Sequence, residues 1–195
     1  MENTETGTRE RAVAAADALL SGGGYSAMSL DAVARAVGIR KACLYHHFPL
    51  GKDELFIAVV ERRTTHDGAL LARAVAGLPD AWACLRAIVE HFDGVARHRP
   101  YHALNEAAAH LPEQHREQVH RLIHERVMAP VRAVIVQGMA RGELRRTDPE
   151  LATLAFVTLM ASLGKPLDGG ARRRRLPGFI VEVFAQGLRA ERRPL

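Results

Sequence analysis

The sequence has 195 residues, of which 48% are hydrophobic, 25% are charged and only 5% are aromatic, and its formal net charge is +5. Such a chain can bury a sizeable core, and its wealth of alanine and leucine favours helices over sheet. No apolar stretch approaches the roughly 20 residues that span a bilayer. The polar start MENTETGTRE lacks the basic and apolar regions of a signal peptide, so we expect a cytoplasmic protein.

The first predicted elements are three short helices. Residues 1–8 are polar and predict disorder, and a helix over 9–21 then turns Val13, Ala16, Leu19 and Leu20 inward until Gly22–Gly24 stops it. A second helix over 30–37 has an apolar stripe at helical spacing, with Ser29 as its cap and Gly38 at its end. A third runs over 40–47 before Pro49. Helix, glycine-containing turn and short helix is the layout of a helix-turn-helix.

The third helix is polar around one buried leucine, Leu44. From Met28 to Lys52 there are four basic residues and one acidic residue, whereas residues 1–63 carry eight of each, so the local balance favours DNA more than the net charge does. A major groove admits one helix whose first residues approach the base edges. The simpler interpretation, a solvated surface helix of a bundle, stays open at this point because short helix pairs are common.

The remaining chain predicts further helices and no strand. A connecting helix over 52–76 is followed by helices over 80–99, 101–110 and 113–141, the first of these three capped by Asp80 and the last with a kink at Pro130. Asp148 caps a nearly all-apolar helix over 149–165 that Pro149 begins, and a last helix covers 176–190. The run Arg172–Arg175 is expected in a solvated loop between these two. The predicted fold class is all-α, with about nine helices.

The run GIRKACLYHHFPLGKDEL, residues 38–55, resembles the recognition segment of the TetR family of transcriptional regulators. The usual family pattern is close to G-V-S-x-x-x-L-Y-x-H/Y-F-x-x-K-E-x-L. Two departures stand out, because Arg40 replaces a small capping serine and the turn before Lys52 is one residue longer than the commonest form. The direct matches are Gly38, Leu44, Tyr45, His47, Phe48, Lys52 and Leu55.

The resemblance implies a DNA-binding domain over 1–51 and a ligand-binding and dimerisation domain over 52–195. A homodimer through the helices over 149–165 and 176–190 would present two recognition helices to a palindromic operator. A small-molecule effector would release the DNA, as in a repressor, and no cofactor or catalytic residue is implied. The DNA-binding residues that the resemblance and the segment's chemistry suggest are Ser29, Arg40, Lys41, Ala42, Cys43, Tyr45, His46, His47 and Lys52, with Ser29, His47 and Lys52 on phosphates.

An effector pocket is implied by the family and not by a motif. Its usual place is the bundle of residues 80–165, where polarisable or polar side chains interrupt aliphatic helices. Each of these is individually more often plain core than pocket. The candidates are Trp82, His91, Phe92, Tyr101, His102, Asn105, Met128 and Met160.

Two interpretations from other classes remain. One is a small-molecule-binding helical bundle that has lost DNA binding, which the neutral charge of residues 1–63 favours. The other is a helical enzyme with a His/Glu metal site, since His98 with His102 and His120 with His124 are i, i+4 pairs. Common enzyme signatures are absent from the sequence, and Cys43 and Cys84 have no zinc-ligand spacing. No metal site is therefore predicted.

Overall fold

The computed structural model describes residues 2–98, 101–164 and 170–188, which form helices joined by turns, with no β-strand in these ranges. A π-helical turn, His124–Met128, joins α7 to α8, and we count these two as one interrupted helix. On that count the described part of the chain has nine helices. None of the described helices combines the length and apolarity needed to cross a membrane. The helices are α1 Glu2–Ala27, α2 Leu30–Val37, α3 Lys41–His47, α4 Lys52–Val75, α5 Ala81–His98, α6 Tyr101–Ala108, α7 Glu113–Ile123, α8 Ala129–Ala140, α9 Pro149–Ala161 and α10 Gly170–Leu188.

The chain folds into two compact units. The first unit comprises Met1–His66 and Arg99–Ile123, and the second comprises Asp67–His98 and His124–Leu195. Helix α4 therefore contributes residues to both. The boundary expected between residues 51 and 52 falls inside the first unit, and its meaning as a division between DNA binding and ligand binding stays a prediction.

The core of the first unit joins two distant parts of the chain. The fully buried side chains include Leu44 of α3, Phe48 just after α3, and Phe56 of α4. The same buried cluster contains Leu104 of α6 and Val119 of α7. Burying a large apolar side chain contributes about 1.5–3 kcal/mol relative to leaving it exposed. Helices α6 and α7 thus supply part of the stability of the unit that carries the helix-turn-helix.

The second unit packs α5 against α8, α9 and α10. Leu85, Ile88 and Ile135 are fully buried, and the rings of Phe156 and Phe184 lie 4.8 Å apart between α9 and α10. The predicted caps are confirmed: Asp80 accepts a hydrogen bond from the Ala83 amide and Asp148 from the Glu150 and Leu151 amides.

The first helix is longer than the sequence predicts. The disorder expected for residues 1–8 is wrong from Glu2 onward, because α1 begins there. Extending a formed helix by polar turns costs far less free energy than nucleating one. The expected glycine interruption is present, since Gly23 and Gly24 leave helical geometry and Gly24 has a φ of 69°. Helical turns then resume as far as Ala27.

The interruption expected at Pro130 takes the form of the π-helical turn just before it. Proline has no N–H to donate to the carbonyl of Arg126, four residues earlier. Gly68 of α4 lies against that carbonyl, so closely that a Cβ on Gly68 would be 2.7 Å from the oxygen. The widened turn and Gly68 together allow close approach between the backbone of α4 and that of the π-helical turn.

The loop expected for Arg172–Arg175 is wrong. These residues form the start of α10, which begins at Gly170 and not near 176. Arg173 makes an ion pair with the buried Asp93 of α5, with 2.5 Å between Nη1 and Oδ1. That contact fixes the start of the helix to α5, and a loop prediction from charge alone does not anticipate it. Residues 165, 189 and 190 of the two predicted C-terminal helices lie outside the described residues.

Candidate functional site

The turn between α2 and α3 is built by local backbone chemistry. The Ser29 hydroxyl accepts a hydrogen bond of 3.1 Å from the Ala32 amide and so caps α2. Gly38 ends that helix in the left-handed region, at φ 74°, and the Ile39 amide then donates to the Ala34 carbonyl at 3.0 Å. This pattern of bonds around a left-handed glycine closes a helix C-terminus and redirects the chain. The predicted helix-turn-helix is present.

Helix α3 buries one side chain and offers the others to solvent. Leu44 is fully buried, and Arg40 precedes the helix in extended backbone without a side-chain cap. The helix is therefore anchored through Leu44 with its remaining surface open, as a groove-binding helix requires. Among the candidate DNA-binding residues of this segment, His47 is half-buried and the exposed ones are Arg40, Lys41, Ala42, Cys43, Tyr45 and His46.

Lys41 is engaged within the helix-turn-helix itself. Its Nζ lies 2.8 Å from Oδ2 of Asp31 on α2, and both side chains are exposed. The hydrogen bond and the charge of Asp31 raise the pKa of Lys41. A contact between Lys41 and a base or phosphate would have to replace this pair.

Tyr45 projects beside the turn that precedes α4. It is 47% exposed, and a Cβ on Gly51 would lie 3.7 Å from its ring. Gly51 has a φ of 75°, and the Leu50 amide donates to the Glu54 carboxylate at 2.9 Å. The additional residue before Lys52 is thus accommodated by a left-handed glycine and a capped helix start.

Lys52 does not extend freely from the start of α4. Its ammonium lies 3.7 Å from the centroid of the Tyr25 ring, a cation–π contact. Burial lowers the pKa of Lys52, while the neighbouring Asp53 opposes that shift. The family resemblance predicts that Lys52 contacts a phosphate. In the structure its ammonium group lies over the Tyr25 ring, so the side chain would have to change conformation to reach DNA.

Tyr25, near the end of α1, also contacts Asp53 of α4 and His110, which lies in the turn after α6. Its hydroxyl donates to Asp53 at 2.8 Å, and its ring stacks on His110 with 5.4 Å between centroids. Burial, followed by the bond to Asp53, raises the pKa of the tyrosine. Nδ1 of His115 lies 3.6 Å from the other oxygen of Asp53. Sequence reasoning missed both histidines, because no spacing signal links residues so far apart.

The predicted effector-pocket residues do not converge on one described cavity. A cleft of about 1090 Å³ lies between α5 and α10, and Trp82 is the only one of the five candidates with described side chains that lines it. Phe92 and Met160 are buried, whereas His91 and Met128 are half-buried. The side chains of Tyr101, His102 and Asn105 lie outside the described residues.

No set of three metal-ligating side chains occurs in the part of the chain that the structure describes. His120 and His124 are both exposed, and the side chains of His98 and His102 are not among those described. Cys43 and Cys84 are free thiols, the first exposed and the second buried.

Two family models match the chain. The model described as "Bacterial regulatory proteins, tetR family" matches residues 12–59, and "Tetracyclin repressor-like, C-terminal domain" matches residues 80–165. The first match covers the helix-turn-helix, and the second covers α5 to α9. No curated protein matches the sequence.

Solved structures share the fold across nearly the whole chain. A TetR transcriptional regulator from Chloroflexus aurantiacus is 23% identical, with a TM-score of 0.78 over 97% of this chain and 100% of that one. A transcriptional regulator from Saccharomonospora viridis in complex with choline is 16% identical, with a TM-score of 0.80 over 95% and 100%. A regulator from Bacillus subtilis in complex with stearoyl-CoA is 14% identical, with a TM-score of 0.78 over 91% and 98%.

Proposed function

The chain belongs to the TetR family of bacterial transcriptional regulators, and from that premise we propose that it is a ligand-responsive repressor. In this proposal a homodimer binds a palindromic operator through α3 of each subunit, and a small molecule bound in the second unit releases the DNA. The observation that carries the proposal is the exposed surface of α3 held on a buried Leu44 behind a glycine-closed turn. It supports the insertion of α3 into a major groove.

The DNA contacts we propose follow the order of side chains along α3. Arg40, Lys41, Ala42, Cys43 and Tyr45 face the groove with His46 beside them, because the helix start approaches base edges most closely. Small side chains at positions 42 and 43 allow that approach. Ser29, His47 and Lys52 lie near the two ends of the motif and are assigned to phosphates, which fix orientation without reading sequence.

Dimerisation is proposed through α9 and α10. The outer face of α9 exposes Leu151 and Leu154 at 64% and 55%, and α10 exposes Val183, which lies beside α9, at 41%. Large apolar side chains left exposed on neighbouring helices are typical of an interface between subunits. A twofold dimer would place the two recognition helices about one turn of DNA apart.

A small-molecule effector is proposed because solved relatives of the fold carry one. The ligands named for them, choline and stearoyl-CoA, differ in charge, size and polarity. The effector of this chain must therefore be sought from its own side chains. It would act by binding one of two conformations more tightly, which shifts their populations.

The test is a fluorescence anisotropy titration of the full chain with its own upstream promoter DNA, at 50 and 200 mM salt. We expect binding at least about a thousandfold tighter than to random DNA of equal length. The affinity should also fall as salt rises, because phosphate contacts release counterions. Equal affinity for promoter and random DNA at both salt concentrations would contradict the repressor.

A second candidate, a helical ligand-binding protein without operator binding, is favoured by two contacts. Lys41 is paired with Asp31, and Lys52 lies on Tyr25, so two of the cations assigned to DNA are engaged inside the protein. The same titration separates the candidates. Under the second one, promoter and random DNA bind equally weakly while small-molecule binding persists.

A further inference from the structure

The cleft between α5 and α10 is lined by both basic and apolar side chains. Trp82, Arg86, Val89 and Glu90 line it from α5 at helical spacing, so one face of that helix forms one wall. The opposite wall is α10 from Arg172 to Gln186. Its volume of about 1090 Å³ is slightly above the range of roughly 300–1,000 Å³ that is typical of pockets for drug-sized ligands.

Positive charge dominates the cleft. Arg86, Arg172, Arg174 and Arg175 line it, against two carboxylates, Glu90 and Glu182. The ion pairs that the structure shows among its described residues use none of these four arginines. All four side chains are exposed, so an anion from solvent can reach their guanidinium groups. Arg173 differs, since it is held by Asp93 and keeps the helix start in place.

The cleft also has an apolar part. Trp82 and Val89 from α5 and Phe179 and Val181 from α10 line it. Gly178 leaves room there, because a Cβ on it would meet no atom within 4 Å. A ligand that satisfied both parts would need an anionic group for the arginines and a hydrophobic body for the aromatic rings.

We propose that this cleft binds an amphipathic organic anion, with a carboxylate or phosphate held by Arg86, Arg172, Arg174 and Arg175 and an apolar body along Trp82 and Phe179. Planar guanidinium groups bind such oxyanions through paired, charge-assisted hydrogen bonds. The role of this anion as the effector rests on the proposed repressor function, but its binding to the cleft does not.

Isothermal titration calorimetry of the full chain tests the binding with three ten-carbon probes: decanoate, decan-1-ol and decylammonium. Decanoate should bind saturably at one site per chain, and at least about tenfold more tightly than the neutral and cationic probes, since each charge-assisted bond contributes more than a tenfold factor. Trp82 is the only tryptophan of the sequence, so its fluorescence should change along the same isotherm.

Variants localise the site. Arg86→Gln combined with Arg175→Gln should weaken decanoate binding at least about tenfold, and Gly178→Phe should weaken it by filling the cleft. Arg146→Gln is the matched control, because Arg146 is exposed and lies outside the cleft lining. Circular dichroism melts establish that each variant is folded. Tighter binding of decanoate than of the other two probes, with loss in the cleft variants alone, supports the proposal.

Three results would overturn it: no saturable binding of decanoate, equal affinity for the three probes, or unchanged affinity in the folded Arg86/Arg175 variant. Sedimentation velocity adds a fourth, since a changed oligomeric state in that variant would make the cleft a subunit contact. Failure of the repressor function is distinguishable. Decanoate would then still bind the cleft while promoter DNA binds no better than random DNA, and release of promoter DNA by decanoate would link the two.

Discussion

Asp31 and Lys41 form an exposed pair on the surface that we assign to DNA. Exposed pairs contribute little to folding stability, about 0–1 kcal/mol, so the pair is better understood through what it does to binding. Its carboxylate is the one acidic group between Met28 and Lys52, and it adds a negative charge where DNA phosphates would lie. We therefore expect Asp31 to limit the affinity of the helix-turn-helix for nucleic acid.

Replacing that carboxylate should strengthen DNA binding. We expect Asp31→Asn to tighten binding to promoter DNA by several-fold in an anisotropy titration at 50 mM salt, because Lys41 is released and a repulsive charge is removed. Glu10→Gln removes the same charge from the exposed surface of α1 and serves as the control. Weaker binding by Asp31→Asn would instead mean that the pair holds Lys41 in its binding position.

Substitutions of Lys52 distinguish a phosphate contact of its side chain from a packing role. If it reaches a phosphate, Lys52→Ala should weaken binding to promoter and random DNA alike and reduce the slope of log K against log salt by about one. If it only packs on Tyr25, thermal stability falls and DNA affinity stays unchanged. Lys52→Arg keeps the charge and is the matched control.

Tyr45 should affect DNA binding and little else. Its ring is half exposed beside the turn, and it is not part of the buried cluster of the first unit. Tyr45→Ala is therefore expected to weaken promoter binding about tenfold, with a melting temperature near that of the unchanged protein. A large drop in melting temperature with full DNA affinity would remove Tyr45 from the interface.

The helices were predictable wherever the signal is local. Ser29, Gly38, Asp80 and Asp148 mark helix ends through bonds within four residues of themselves, and the structure confirms all four as caps or stops. The start of α10 was not predictable from charge, because it depends on an ion pair between Arg173 and Asp93, a residue of α5 that is distant in the sequence. Among the site residues, exposure on α3 followed from periodicity, whereas the engagement of Lys41 and Lys52 depends on neighbouring elements.

Two glycines should respond oppositely to the same substitution. Gly38 has a φ of 74°, so Gly38→Ala is expected to lower the free energy of unfolding by about 1–2 kcal/mol. Gly178 lies inside α10 with open space around it, so Gly178→Ala should raise that free energy by about 0.5–1 kcal/mol. Urea unfolding monitored by circular dichroism measures both, and equal signs would contradict the assignment of their conformations.

We expect Glu143 to make the start of α5 sensitive to acid. Its carboxylate accepts a 2.7 Å bond from the Ala81 amide at the start of α5, and Arg141 and this amide lower the pKa of Glu143. A carboxylate with a lowered pKa contributes stability above its unfolded pKa of about 4.5, and that contribution is lost as the pH falls through the folded value.

Glu143→Gln should therefore reduce stability near neutral pH and make it less dependent on pH below about 4.5. Glu143→Ala should cost about 1 kcal/mol, because the helix start also loses its acceptor. Thermal melts between pH 3 and 7 measure both variants. Glu113→Gln, on an exposed acid at the start of α7, is the control, and an equal effect there would exclude this specific role.

At the scale of the whole molecule, the exposed leucines of α9 predict an association between copies. Leu154→Glu should convert a dimer into a monomer in light scattering at micromolar concentration, because a charge would be buried at the interface. Leu78→Glu places the same charge on another exposed leucine, in the turn after α4, and should leave the dimer intact. A monomer in the unchanged protein would contradict the proposed assembly.

The discontinuity of the first unit constrains how this protein can be recombined with its relatives. An exchange of DNA-binding segments at residue 51, or even at residue 66, would leave Leu104, Ala107, Leu111 and Val119 behind, although their side chains complete the core around Phe56. In a chimaera joined there, the core of the first unit would combine side chains from two different proteins. To transfer operator specificity, residues 101–123 should therefore be exchanged together with the N-terminal segment, or the exchange should be limited to the exposed positions of α3.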